Sequence, residues 1–210
     1  MSADNMITIV DYGMGNLASI KNMLKKIGVS AEITSSPEVL KDAKRIVLPG
    51  VGAFDNAMIN IRQRGLLDVL SQKAIIEKIP FLGICLGMQI LMNSSEEGKE
   101  PGLGWVEGKV KRFRFDANSD RLKVPHMGWN VVQPKDESAV LFGSMKEPRF
   151  YFVHSYYVTC DNQNHILSTT THGVEFTSSV RKGHIYGTQF HPEKSHKFGM
   201  QLFKNFMENS

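Results

Sequence analysis

Gly83-Ile84-Cys85-Leu86-Gly87 follows an apolar run and precedes a helical pattern. This is the G-x-nucleophile-x-G form, in which the central residue sits on a sharp strand-to-helix turn and small neighbours relieve the crowding. A cysteine there gains thiolate character from the helix N-terminus, and the Leu86 N–H is left free to donate to an oxyanion. A thiol nucleophile needs a base, and the base an orienter. Gly187-Thr188-Gln189-Phe190-His191-Pro192-Glu193 supplies both, placing His191 and Glu193 just past a short strand. If that strand ends near Phe190, the carboxylate holds one imidazole nitrogen and the other faces sulfur. The six other histidines lack a carboxylate at this spacing. A third element, Pro49-Gly50-Val51-Gly52-Ala53-Phe54, also leaves an apolar strand. Its two glycines let backbone N–H groups approach a developing negative charge. Each element has a plainer reading: Cys85 as a small buried hydrophobe, His-Pro-Glu as an ordinary turn, and the glycine loop as a turn without a ligand.

The elements that must position these residues alternate strand and helix. Met6 to Tyr12, Ala31 to Thr34, Arg45 to Leu48 and Pro80 to Ile84 read as strands. Leu17 to Ile27, the segment opened by Ser36-Pro37, Phe54 to Lys78 (broken near Gly65) and Leu86 to Met92 read as helices. Continuous apolar strands separated by helices imply a buried parallel sheet, whose carboxyl edge gathers ligands. From Trp105 the texture changes. Val106 to Phe115, Trp129 to Gln133, Phe150 to Cys160, Ile166 to Thr171 and Phe176 to Val180 read as antiparallel additions. His184 to Gln189 is a last strand, and Ser195 to Met207 a closing helix with Phe198, Leu202, Phe203 and Phe206 facing inward. One α/β domain over 1–210 is the expectation.

Composition narrows the alternatives. The 210 residues are 41% hydrophobic and 22% charged, the balance of an ordinary globular chain. The longest apolar runs are too short to span a membrane. The N-terminus lacks the basic segment of a secretory leader, so a cytoplasmic protein is expected. Cys85 and Cys160 are too few for a disulfide scaffold, and neither has a partner at metal-ligand spacing. A net charge of +4 could suggest nucleic acid, but Lys109 to Arg114 alternates basic and apolar residues, the pattern of a strand with one solvated face.

In their order, PGVGAF (49–54), GICLGMQ (83–89) and GTQFHPEKS (187–195) resemble the class I glutamine amidotransferases. DYGMGN (11–16), PHMGWN (125–130) and YFVHSYY (151–157) are similar, more narrowly, to the glutaminase subunits of imidazole glycerol phosphate synthase. The resemblance implies a flavodoxin-like amidotransferase fold and a triad of Cys85, His191 and Glu193. It implies an oxyanion hole from the Leu86 N–H and the Val51–Gly52 loop. Gly52, Gln89, Glu97, His154, Ser155 and Tyr156 would bind glutamine, with Glu96 competing with Glu97 for that place. Asn16, Met127 and Trp129 would lie toward a (β/α)8-barrel cyclase partner that receives ammonia, and no cofactor or metal is called for. A further expectation, on the rate one such donor supplies, is that the PGVG loop becomes an oxyanion hole only when the liganded partner binds. Other destinations stay open, including paralogous synthases such as those of amidino-sugar surface polysaccharides. A cysteine hydrolase or chaperone of related architecture would place His after the elbow cysteine, where Leu86 stands. A non-catalytic docking module would not need the three triad residues.

Overall fold

The computed structural model describes residues 6–115, 122–136, 140–143 and 145–209. Residues 1–5, on which the leader expectation partly rests, and residue 210 lie outside them. The chain opens with β1 (Met6–Val10), α1 (Leu17–Lys26), β2 (Ser30–Thr34), α2 (Pro37–Lys41) and β3 (Ile46–Gly50). The Asn16 side chain caps α1 by accepting the Ser19 N–H, and Ser36 caps α2 ahead of Pro37. Then come α3 (Phe54–Gln63) and α4 (Leu66–Ser71), separated at Gly65, whose φ of 66° is left-handed, and a π-helical turn at Gln72–Ile76.

β4 (Phe81–Cys85) leads into α5 (Leu86–Gln89). This helix stops earlier than expected. Beyond Gln89 the N–H groups of Leu91 and Met92 bond three residues back, to Met88 and Gln89, so the chain tightens instead of extending a regular helix. The second half carries β5 (Ser94–Ser95), β6 (Gly108–Arg112), β7 (His126–Val131), β8 (Gln133–Pro134), β9 (Arg149–His154) and β10 (Tyr156–Cys160). It closes with β11 (Ile166–His172), β12 (Val174–Lys182), β13 (Ile185–Thr188) and α6 (His196–Asn209).

Among the described residues the main sheet has 11 strands in the order β2-β1-β3-β4-β13-β12-β10-β6-β5, with β11 and β8 branching from β12. The strands from β2 to β13 pair in parallel, and β13, β12, β10 and β6 pair antiparallel. β3 and β4 are buried along their whole length, as continuous apolar runs require when helices cover both faces. One core packs Leu48, Phe54, Leu70 and Leu86 on one face; the other packs Ile9, Val47, Phe203 and Phe206 opposite. In β6, Val110 is buried between exposed Lys109 and Lys111, the one-sided strand expected there.

Two of the expected strands are each split: Trp129 to Gln133 divides between β7, which leaves the main sheet, and β8, which pairs with β11 within it. Phe150 to Cys160 is two strands, not one. The chain breaks at Ser155, β10 joins the main sheet, and β9 pairs antiparallel with β7 in a separate two-stranded ribbon. The closing helix also begins at His196, because Ser195 turns inward, donating to the His191 carbonyl at 2.6 Å and accepting the Tyr151 N–H at 3.0 Å. Among the described residues no helix is long and apolar enough to cross a membrane.

Candidate active site

β3, β4 and β13 end side by side, with Gly50 in register with Cys85 and Thr188 with Ile84. Cys85 has φ 56° and ψ −111°, a backbone conformation that side-chain-bearing residues rarely adopt. The flanking glycines make that turn possible. A Cβ on Gly83 would stand 2.5 Å from the Gly87 carbonyl oxygen, and one on Gly87 would overlap the Leu48 carbonyl oxygen. The glycines thus serve close packing of the elbow against itself and against β3.

His191 arrives from the other side. Its N–H bonds the Tyr151 carbonyl at 2.9 Å and its carbonyl accepts from Ser195, so its backbone is held by β9 and the turn ahead of α6. Nδ1 lies 2.8 Å from Glu193 Oε1, with both side chains buried. Burial opposes a charge on this imidazole, but the Cys85 sulfur and the Glu193 carboxylate outweigh it and raise its pKa to about 10. That suits His191 to be the charged half of a thiolate–imidazolium pair, the arrangement a sulfur nucleophile with a proton-returning base requires.

Cys85 and His191 face a cavity of about 330 Å³ lined by every residue expected at a glutamine site: Gly52, Gln89, Glu97, His154, Ser155 and Tyr156, with Val51 and Leu86. Pro125 and Val153 complete it, and no sequence signal singled them out. Glu97 is the only carboxylate among the described residues of that lining. Its Oε2 accepts the Phe54 N–H at 2.9 Å, and burial, with Asp55 nearby, pushes its pKa up. Glu96 instead accepts from Arg112 and Arg114 on the β6 side, so Glu97 is the one at the cavity. Gly52, at φ 108°, packs beneath Met14, and Gly50 lies against the Tyr12 hydroxyl, so the 11–16 loop backs the 49–52 loop.

His154 serves both cavity and core. It lines the former while its ring packs among Phe113, Phe152 and Phe176. Burial, ahead of the neighbouring imidazoles, pushes its pKa down to about 3 and that of His126 to about 4. Met127 and Trp129 project from β7 with 63% and 49% of their surface exposed. Trp129 stacks on His196 at 5.6 Å. Asn16 is exposed and spends its side chain capping α1. The residue that sequence reasoning missed is Gln189, fully buried, whose amide nitrogen lies 3.8 Å from Cys85 Sγ.

A family model described as glutamine amidotransferase class-I matches residues 8–210. Imidazole glycerol phosphate synthase subunit HisH 2 of Methanococcus maripaludis is 52% identical, covering 98% of this chain and 100% of its own length. The like-named subunit of Pseudomonas aeruginosa is 51% identical over 97% of this chain and 99% of its own. A solved crystal structure of a glutamine amidotransferase shares the fold at a TM-score of 0.71 and 20% identity, over 96% of this chain and 97% of that one. Since the family match runs almost from end to end, this chain belongs to the class-I glutamine amidotransferases.

Proposed function

We propose that this chain, acting as one unit over residues 1–210 in the cytoplasm, is the glutaminase subunit of an imidazole glycerol phosphate synthase. It takes ammonia from L-glutamine and hands it to a (β/α)8-barrel cyclase subunit in histidine biosynthesis. The observation that carries this reading is the convergence of Cys85 and His191, the latter bonded to Glu193, on one cavity whose single lining carboxylate among the described residues is Glu97. Glutamine offers an α-ammonium group to Glu97 and its carboxamide carbon to sulfur.

Cys85 Sγ attacks the carboxamide carbon, forming the C–S bond as the C=O electron pair moves onto oxygen. The Leu86 N–H and a backbone N–H of the Val51–Gly52 loop steady that oxyanion. As the oxyanion collapses, the C–N bond breaks. His191 gives its proton to the departing nitrogen, releasing ammonia and leaving a glutamyl thioester. Water then attacks the thioester while His191 takes its proton, and the thiolate leaves with glutamate released. Glu193 orients the imidazole and stabilises its charged form throughout. Gly52, Gln89, His154, Ser155 and Tyr156 shape the pocket.

The partner would dock on exposed apolar side chains, Met127 and Trp129 on β7 and Val51 in the cavity lining, 42% exposed, with Asn16 as the further contact the resemblance implies. Contact with the 49–52 loop gives the partner a lever. One missing oxyanion donor costs about 10²–10³ in rate, so turning a single peptide suffices to couple turnover to docking. Glutamate release from glutamine, measured alone and with the liganded barrel, tests this. We expect low basal release, at least a hundredfold stimulation, and loss of both in Cys85→Ala. Equal turnover with and without the barrel would refute the coupling.

A second reading has a specific observation behind it. The two relatives named above, 52% and 51% identical, carry the numeral 2 in their names, the mark of an additional subunit of this type. A paralogous subunit would run the same chemistry for another barrel synthase, such as one making an amidino-sugar for surface polysaccharide. Restored growth of a histidine auxotroph lacking its glutaminase subunit supports the first reading. Failure to restore growth by a chain with intact Cys85 reactivity supports the second.

A further inference from the structure

A buried run of hydrogen bonds ends on the Cys85 sulfur, and its donor directions close in only one way. His154 Nδ1 lies 2.7 Å from the Tyr156 carbonyl oxygen, so that nitrogen carries the hydrogen. Its Nε2 must then accept, and His126 Nδ1, 2.9 Å away, must donate. His126 Nε2 in turn accepts from Asn130 at 3.2 Å. The second lone pair of the Tyr156 carbonyl takes an N–H of Gln89 at 3.1 Å. The same Gln89 nitrogen donates to Gln189 Oε1, also at 3.1 Å. With its oxygen engaged, Gln189 presents its own N–H to Cys85 Sγ.

We propose that Gln189 is a further polar group at the reacting sulfur, donating an N–H that favours the thiolate, and that Gln89 is the positioning residue that fixes this amide. The inference rests on reading Cys85 as the nucleophile. Two facing amides between α5 and the end of β13 would be a costly way to fill space, since apolar side chains do it without polar groups to satisfy. Their value lies in direction. A primary amide is close to symmetric in shape, and without Gln89 it could turn its oxygen toward sulfur, where lone pairs would oppose the thiolate. The Gln189 N–H bond to the Ser178 carbonyl, at 2.9 Å, fixes the backbone from which the side chain reaches. Gln89 commits both N–H groups of its amide in this way, which leaves its Oε1 as the atom to meet substrate.

The test is the rate of alkylation by iodoacetamide as a function of pH, in the full chain, with Cys85 and Cys160 followed separately by peptide mass spectrometry. Gln189→Met should move the midpoint for Cys85 up by about one pH unit, a tenfold loss of rate below the midpoint, equivalent to about 1.4 kcal/mol. Gln189→Leu, which also removes the N–H, should move it by a similar amount. Gln89→Met should give a smaller shift of the same sign. A folded Gln189→Met or Gln189→Leu protein whose Cys85 profile superimposes on the parent would overturn the proposal. Such a result, with only a lowered melting temperature, would mark the amide as core packing. Glutamine turnover by Cys85→Ala is a separate measurement: activity there would remove the nucleophile reading itself, whatever the alkylation profiles show.

Discussion

Replacing Glu193 by glutamine removes one charge and almost no volume. The lost charge sits at one end of a 2.8 Å bond between two side chains that are each 2% exposed, so water cannot take its place. Breaking a buried charge pair of this kind costs about 3–5 kcal/mol. At about 1.4 kcal/mol per decade, that lowers the thiolate–imidazolium population, and with it kcat, by roughly a hundred- to a few-thousand-fold. The pH profile supplies the sign. His191 stays protonated up to about pH 10, against 6.5 when unperturbed, so the basic limb of kcat should lie near 10. The contributions of Cys85 to this shift rank above those of Glu193, so Glu193→Gln should bring the basic limb down without returning it to 6.5. The assay is glutamate release across pH with the partner bound, alongside thermal unfolding to establish that the variant is folded. A basic limb that stays near 10, or a kcat within a few-fold of the parent, would refute the assignment of Glu193 as the charge that holds His191.

Glu97→Gln should raise KM for glutamine tenfold or more while changing kcat less, because it removes a countercharge and not a reacting group; steady-state kinetics separates the two. Since Glu97 has a raised pKa and an ammonium ligand favours its ionised form, glutamine affinity should also weaken toward acid pH in the parent and lose that dependence in the variant. Gly87→Ala should cost at least about 2 kcal/mol and lower the melting temperature by about 4–8 °C, because its Cβ meets the Leu48 carbonyl oxygen; a scan within a degree of the parent would show that the elbow can relax. His126 and His154 are held neutral in the folded chain, with pKa values near 4 and 3, whereas the unfolded chain protonates them below about 6.5. The unfolded state then binds more protons, so each should reduce stability by about 1.4 kcal/mol for every pH unit below 6.5. Denaturant melts at pH 6 and pH 5 should show a shallower loss in His126→Phe, and an unchanged slope would contradict the assignment.

What was legible in the sequence was what local sterics and short spacing enforce. Gly83, Cys85 and Gly87 announce the elbow because each glycine answers a backbone collision three or four residues away or on the neighbouring strand. His191 and Glu193 stand two residues apart, close enough for one turn to join them. Long-range pairing was harder to read. The Phe150 to Cys160 run has neither Gly nor Pro at Ser155, so nothing in its alternation reports that the two halves join different sheets. Leu86 to Met92 is buried throughout, and without a polar face it carries no periodic signal for where regular helix stops. Glu96 and Glu97 differ only in which way a loop turns, which is set by Arg112 and Arg114 on one side and the Phe54 N–H on the other. Gln189 was invisible because an amide in a strand-like run has no meaning until its partner, a hundred residues away in sequence, is known.

The central claim is that Cys85 becomes covalently bonded to the glutamine carbonyl carbon. Acid quenching of the chain during turnover with its liganded partner, followed by peptide mass spectrometry, tests it directly. The account expects a glutamyl adduct on the peptide containing Cys85, present during turnover, lost when glutamine is exhausted, and absent from Cys160. Sustained glutamate formation with no adduct on Cys85, or undiminished formation by Cys85→Ala, would contradict it.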